Sequence, residues 1–160
     1  KTLSTAYTNL ENSKKQYKQV VNPSEEFVMQ RILTVDDVAD ARAVTEDQDP
    51  NGNLHKAGGY TSTIYFESKT VNQSDVYVSG KYADVLIDKG TDAGGAIEVY
   101  ENVEDAEKRR DYLATYDGTI YANGTHTVIG TVLVRTSNEL TATQQKELEQ
   151  KVIDALTRLE

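Results

Sequence analysis

An alternating run of oxygen-bearing side chains is the best chemical motif in this sequence. Gly52 is the sixth residue of the run, as in the first half of an EF-hand calcium loop, where converging oxygens bind a hard cation and glycine permits a sharp bend. The twelfth position is Gly58 rather than a bidentate glutamate, so a calcium site would need Glu46 or a distant acid such as Asp92. The candidate ligands are Asp47, Asp49, Asn51 and Asn53.

The same segment is also typical of a loop that needs no metal. Asp and Asn side chains commonly accept hydrogen bonds from their own backbone in turns, and Pro50 and Gly52 are turn residues. Because only half of the calcium pattern is present, we favour the turn and keep calcium, the one cofactor indicated, as an alternative.

Other catalytic patterns are weak or missing in the sequence. His55 and His126 are the only histidines, and a pair without a third ligand makes a poor metal site. No Gly-x-Ser-x-Gly nucleophile elbow and no phosphate-binding glycine pattern occurs. A hydrolase or small-ligand enzyme would have to use the two Gly/Asp-rich loops, Asp47–Gly59 and Asp88–Gly95. We leave enzymatic activity uncertain, leaning against it.

Tyrosine is the dominant aromatic residue, with ten copies against two phenylalanines and no tryptophan. Tyrosine combines an apolar ring with a polar end and therefore suits strand faces and wet interfaces. Arg135 ends an apolar strand, where it could meet a carboxylate ligand or, as we favour, pair with an acid such as Glu98. The candidate binding residues are Tyr60, Tyr65, Tyr100 and Arg135.

Composition limits the class of partner and the location. The 160 residues carry 17 Lys and Arg against 26 Asp and Glu, so the net charge of −9 argues against nucleic acid and anionic membranes as partners. The lack of cysteine excludes disulfides and thiol chemistry, and fits either the cytoplasm or the outside of a Gram-positive cell. Because the first residue is Lys1, we expect a preceding piece that carries a signal or a membrane anchor.

The stretch 93–137 is predicted to form the centre of the fold. Ala96–Glu101 alternates as a strand does, Asn102 fits a helix N-cap, and Thr127–Arg135 is the most β-prone run in the chain. If the two strands share a sheet, a parallel right-handed crossover is favoured. Alternatively, Asn123-Gly124 turns a short strand, Thr119–Ala122, back against the second.

Residues 1–21 are predicted to form an amphipathic helix that packs on the body or serves as a stalk or dimer helix. Residues 22–160 are predicted to form a single α+β domain. A helix beginning near Pro23, strands at Ala41–Glu46 and Tyr60–Ser68, and a last helix with a Thr141–Gln144 capping box complete it. The expected fold is a mixed or antiparallel sheet of about four strands with helices mainly on one face, a ferredoxin-like variant.

Several segments resemble uncharacterised proteins of Gram-positive bacteria (Firmicutes). Those proteins are associated with an N-terminal membrane or lipoprotein anchor, so the resemblance implies a location outside the cytoplasm; a cytoplasmic location is not excluded. It implies no activity and no catalytic residues. The segments are Gly59–Thr61, Ile64–Phe66, Ile97–Tyr100, Glu104–Arg109, Arg135–Ser137 and Leu140-Thr141.

These observations together favour a non-catalytic binding domain of a cell-surface or lipoprotein-type protein. It would bind an unknown protein or cell-envelope partner through its tyrosine-rich sheet face or its Gly/Asp-rich loops. A calcium-stabilised adhesion or sensor module, and an enzyme with its site at those loops, are the alternatives. The sequence does not indicate the oligomeric state.

Overall fold

Two sets of strands and five helices make up the chain in the computed structural model, which describes residues 2–160. The helices are α1 (Thr2–Gln19), α2 (Glu25–Ile32), α3 (Leu86–Lys89), α4 (Val103–Ala114) and α5 (Ala142–Thr157), with a short 3-10 helix at Gly90–Ala93. The strands are β1 (Val38–Ala43), β2 (Tyr60–Ser68), β3 (Tyr77–Val78), β4 (Lys81–Tyr82), β5 (Gly94–Tyr100), β6 (His126–Ile129) and β7 (Val132–Thr136).

The main sheet has the order β1-β2-β5-β7-β6, and every neighbouring pair is antiparallel. The short strands β3 and β4 pair separately as a hairpin. The α+β class and the antiparallel sheet are therefore confirmed, but the sheet has five strands instead of about four. The ferredoxin-like arrangement is not confirmed, because its βαββαβ succession needs a helix between the first two strands, whereas here a loop joins β1 to β2.

The fifth strand arises at Gly130, in the middle of the run that the sequence predicted as one strand. Gly130 has a φ of 58°, and a Cβ there would lie 2.2 Å from the Val20 carbonyl oxygen, so glycine fits both the backbone and the space. The chain reverses at this point and β7 returns between β5 and β6. β5 and β6, which α4 connects, run parallel in one sheet, because each pairs antiparallel with the β7 strand that lies between them; the predicted parallel connection is therefore present, with one strand inserted. Thr119–Ala122 forms turns instead of a strand.

One face of the sheet packs against α2 and α5. Ile97 and Val99 of β5 are fully buried on this face together with Ile64 of β2, and Val152 of α5 contributes to the same core. The Thr141–Gln144 capping box at the start of α5 is confirmed. This face forms the larger part of the apolar core.

The opposite face is covered as well, so the prediction that helices lie mainly on one face is wrong. Ala106 and Leu113 of α4 pack with Leu133 of β7, and Leu54 of the 44–59 loop joins them. Leu86 of α3 lies in a second cluster on this face. The N-cap predicted at Asn102 is confirmed, since its side chain accepts a hydrogen bond from the Asp105 amide. Because both faces are covered, all seven residues of β5 are buried.

Helix α1 contacts the body through its C-terminal end. None of the residues 2–19 is buried, whereas Val20 is, and its carbonyl accepts a hydrogen bond from the Thr131 amide. Gln19 donates from its side-chain amide to the carbonyls of Leu156 and Arg158 at the end of α5. The rest of the helix extends beyond these contacts. Lys1, the first residue of the predicted helix 1–21, lies outside the described residues.

Candidate functional site

The residues predicted to bind a partner lie inside the protein. Tyr60, Tyr65, Tyr100 and Arg135 are between 1% and 6% exposed. They lie on the sheet face that α4, α3 and the 44–59 loop cover, and Tyr60 and Tyr100 pack edge to face with ring centres 6.2 Å apart. In this conformation that sheet face cannot contact a partner, because other elements of the same chain already cover it.

A buried cluster of ionic side chains occupies the centre of the covered face. Glu98 of β5 is 1% exposed and accepts hydrogen bonds at both carboxylate oxygens. Arg135 of β7 donates to one oxygen at 2.8 Å, which confirms the favoured pairing of Arg135 with Glu98. Arg109 of α4 and the Tyr100 hydroxyl donate to the other at 3.3 Å and 2.6 Å. The cluster therefore ties α4 to the two central strands.

The electrostatics of the cluster keep Glu98 ionised. Burial alone would raise the pKa of Glu98, but the guanidinium groups of Arg135 and Arg109 and the Tyr100 hydroxyl outweigh it and lower this pKa. Burial and the neighbouring Glu98 carboxylate raise the pKa of Tyr100, so its hydroxyl remains a donor. Burial, followed by the charge of Glu98, raises the pKa of Tyr65 to about 12. This arrangement suits a structural ion cluster, since its carboxylate is already saturated.

A second carboxylate, Asp49, organises the loop that carries the calcium-like motif. Its two oxygens accept hydrogen bonds from the amides of Asn51, Asn53 and Leu54 at 2.6–3.0 Å, and from the Tyr60 hydroxyl at 2.5 Å. Burial opposes ionisation, but these four donors together lower the pKa of Asp49. This is the turn that the sequence analysis favoured, with a side chain capping its own backbone.

The other calcium candidates point to separate partners. Asp47 accepts from the Thr45 hydroxyl at 2.6 Å, and Asn51 donates from its side chain to the Tyr65 hydroxyl at 3.4 Å. Glu46 pairs with His55 at 2.7 Å. Within residues 2–160, no group of three or more His, Asp or Glu side chains could hold a metal ion. Calcium binding remains a prediction that the measurements below can test.

Two carboxylates, the buried Glu98 and the half-buried Asp49, make stability depend on acid. Glu98 and Asp49 have pKa values lowered in the folded state, so the stability they contribute is present above their unfolded pKa values and is lost as the pH falls through the folded ones. Asp92 acts in the opposite sense, because burial and the nearby Glu139 carboxylate raise its pKa. We expect the urea midpoint of unfolding to change little between pH 7 and about pH 5 and to fall steadily below it. An unchanged midpoint at pH 3 would contradict the ionised cluster.

The two Gly/Asp-rich loops meet at a small groove beside the β3–β4 hairpin. Its volume is about 220 Å³, below the 300–1,000 Å³ range of common small-molecule sites. A larger cleft of about 500 Å³ lies elsewhere, between α5, α1 and the turn after α2. Neither histidine lines the loop groove; its lining residues are Gln48, Pro50, Val78, Ser79, Lys81, Ala83, Ile87 and Asp88.

Large side chains at the end of α4 and in the following turn are exposed instead, except for Tyr116, which is half-buried. We call Tyr112, Tyr116, Ile120 and Tyr121 the α4 patch. Ile120 is 90% exposed, and Tyr112 and Tyr116 pack edge to face at 5.5 Å with their hydroxyls 3.0 Å apart. This patch was not predicted from the sequence, although the Ile-Tyr pair between Gly118 and Asn123-Gly124 indicates apolar residues in a turn.

Contacts to the body hold part of the α4 patch in place. The Arg109 guanidinium lies 5.6 Å from the ring centre of Tyr112 and at the same time donates to the buried Glu98 carboxylate. Thr119 donates from both its amide and its hydroxyl to the Tyr116 carbonyl, which holds the turn against the helix end. The Tyr112 ring is therefore connected to the centre of the sheet through Arg109.

Comparison with known proteins finds no family model, no curated protein and no solved structure that matches this chain. Among the helices of residues 2–160, none has the length and apolar character needed to cross a membrane. The binding chemistry therefore has to be derived from the geometry of the surface and of the buried clusters.

Proposed function

We propose that this protein is a non-catalytic binding domain of a cell-surface or lipoprotein-type protein, and that it contacts a protein or cell-envelope partner through the α4 patch. The observation that carries this proposal is the exposure of Ile120 and Tyr121, at 90% and 69%, in the turn that follows Tyr112 and Tyr116 in the chain. Contiguous exposed apolar groups commonly mark interaction surfaces, and tyrosine is enriched in the cores of such interfaces.

The chemistry of the α4 patch fits recognition of a partner surface. Tyrosine offers a large contact area with little loss of conformational freedom, and its hydroxyl can form hydrogen bonds across an interface. Because the Arg109 guanidinium already packs on the Tyr112 ring, this side chain should lose little conformational freedom when a partner binds. The net charge of −9 favours a neutral or basic partner over an acidic one.

The location outside the cytoplasm is part of the same proposal. It is supported by the resemblance to anchored proteins of Gram-positive bacteria, and the sequence without cysteine is compatible with it. Protease treatment of intact cells of the native host tests it, with the protein expected to be degraded from outside. Survival of the protein until the cells are lysed would contradict an extracytoplasmic location.

Substitution of the exposed patch residues tests the binding surface. The double variant Ile120→Ser/Tyr121→Ser is expected to reduce partner association at least tenfold, which corresponds to the loss of about 1.4 kcal/mol of binding free energy. Its free energy of unfolding should change by less than about 0.5 kcal/mol, because both side chains are exposed. Affinity capture from native cell envelopes, quantified by mass spectrometry, provides the measurement.

The matched control uses a second exposed tyrosine pair. Tyr77 and Tyr82 on the β3–β4 hairpin are 57% and 65% exposed and pack edge to face at 5.2 Å, so they resemble the patch in chemistry but lie elsewhere in the fold. The variant Tyr77→Ser/Tyr82→Ser is expected to keep the partner. Equal loss in both double variants would reject the α4 patch as the specific contact surface.

A further inference from the structure

Two Asn-Gly pairs occur in the chain, and they lie in different structural settings. Asn51-Gly52 belongs to the 44–59 loop, and Asn123-Gly124 lies in the segment that joins Tyr121 to β6. In an Asn-Gly pair the glycine nitrogen can attack the asparagine side chain with little hindrance, because glycine has no Cβ to shield it. The surroundings of each pair therefore decide which of the two is more reactive.

The Asn51-Gly52 pair is held by hydrogen bonds. The Gly52 amide donates to the Asp49 carbonyl at 3.2 Å, so the attacking nitrogen is occupied. The Asn51 amide donates to the Asp49 carboxylate at 3.0 Å, and the Asn51 side chain donates to the Tyr65 hydroxyl at 3.4 Å. Attack by the Gly52 nitrogen requires this part of the loop to open first, which slows the reaction.

The Asn123-Gly124 pair lacks this protection. Among residues 2–160, no acceptor receives a hydrogen bond from the backbone amide of Asn123 or of Gly124. The Asn123 side-chain amide donates to the Tyr121 carbonyl at 3.5 Å, which is longer than a normal N–H···O bond. Glycine is required at position 124, since a Cβ there would lie 2.3 Å from the Thr136 carbonyl oxygen. The fold therefore keeps a reactive pair beside the α4 patch.

We propose that Asn123 is a site of spontaneous deamidation, and that the reaction weakens the α4 patch. The Gly124 nitrogen loses its proton and bonds to the side-chain carbonyl carbon of Asn123, and the side-chain nitrogen leaves as ammonia. Water then opens the resulting succinimide at one of its two carbonyls, which gives aspartate or isoaspartate. A neutral amide is replaced by a carboxylate, so the protein gains one negative charge.

The product changes the turn that carries Tyr121. A carboxylate at position 123 cannot donate to the Tyr121 carbonyl and places negative charge beside that oxygen. Isoaspartate also adds one carbon to the backbone path between Ala122 and Thr125, which hydrogen bonds hold in place. Both products should loosen the turn. This consequence for binding rests on the proposed function of the α4 patch, whereas the deamidation does not.

Peptide mapping by mass spectrometry measures the reaction on the purified whole chain, incubated at about pH 8 and about 37 °C. We expect Asn123 to convert at least about fivefold faster than Asn51, because a hydrogen bond on the attacking nitrogen is worth a factor of this order. Asn123→Gln should remove the conversion at position 123, since the longer side chain has to close a larger ring. Conversion at Asn51 that is equal or faster, or no conversion at either site, would overturn the proposal.

Two substitutions at the same position test the effect on binding. Asn123→Asp carries the charge of the product, and Asn123→Gln keeps a neutral amide. Capture of the partner from native cell envelopes should be at least about threefold lower for Asn123→Asp. Equal capture by the two variants would reject the effect on the patch. If Ile120→Ser/Tyr121→Ser keeps the partner, the proposed function fails, and peptide mapping still decides the deamidation.

Discussion

Replacing Glu98 with alanine is expected to lower the free energy of unfolding by about 3–5 kcal/mol, because it leaves buried positive charge without its partner. Arg135 is 6% exposed, and the Arg109 side chain that reaches Glu98 from α4 is largely buried. Both guanidinium groups would lose their charged acceptor in a place where water cannot replace it. Urea denaturation at pH 7, followed by circular dichroism, measures the change.

Two controls separate the charge effect from a general loss of packing. Glu101→Ala removes an exposed carboxylate directly after β5 and should change the free energy of unfolding by less than about 0.5 kcal/mol. The triple variant Glu98→Leu/Arg109→Met/Arg135→Met removes all three charges, and we expect it to be more stable than Glu98→Ala. If the triple variant were less stable than Glu98→Ala, unpaired buried charge would not explain the loss of stability in the single variant.

Asp49→Ala is expected to cost about 3 kcal/mol of unfolding free energy, since four donors lose one charged acceptor. The Leu54 amide and the Tyr60 hydroxyl are the critical donors, because both residues are buried and cannot turn to water. Loss of these bonds should loosen the 44–59 loop and expose the sheet face beneath it. Thermal and urea unfolding, with hydrogen exchange of the loop amides, provide the measurements.

Asp47→Ala is the matched control and also distinguishes the turn from a calcium site. Asp47 is exposed and accepts a hydrogen bond from the Thr45 hydroxyl, so its loss should cost less than about 0.5 kcal/mol. A calcium site would need both aspartates. Calcium that raises the melting temperature of the native chain, with the shift abolished by EDTA and by either substitution, would support the calcium-stabilised module. No calcium-dependent shift is expected from the hydrogen-bonded turn alone.

The parts of the fold that were predictable depend on local signals. The strand at β5, the N-cap at Asn102 and the capping box at Thr141 each involve residues within a few positions of one another. The pairing of Arg135 with Glu98 could be anticipated because a charge at the end of an apolar strand needs a neighbouring acid. Asp49 was identified as a structured position, although the sequence left two explanations for it.

The parts that were missed depend on long-range packing. The run Thr127–Arg135 was predicted as one strand, but it reverses at Gly130, where the Val20 carbonyl approaches the glycine closely. The burial of Tyr60 and Tyr100 follows from α4 and the 44–59 loop folding over the same sheet face, which no local pattern predicts. The exposure of Ile120 also depends on long-range packing. An apolar side chain is usually expected to be buried, and only the surrounding fold shows that this one is not.

Site-specific photo-crosslinking in cells of the native host is the most direct test of the α4 patch as the contact surface. A photoreactive phenylalanine analogue replaces Tyr121 in one variant and Tyr82 in another, positions matched at 69% and 65% exposure. We expect one dominant crosslinked partner from position 121 and none in common from position 82. A partner crosslinked from position 82 and not from position 121 would contradict the proposed binding surface.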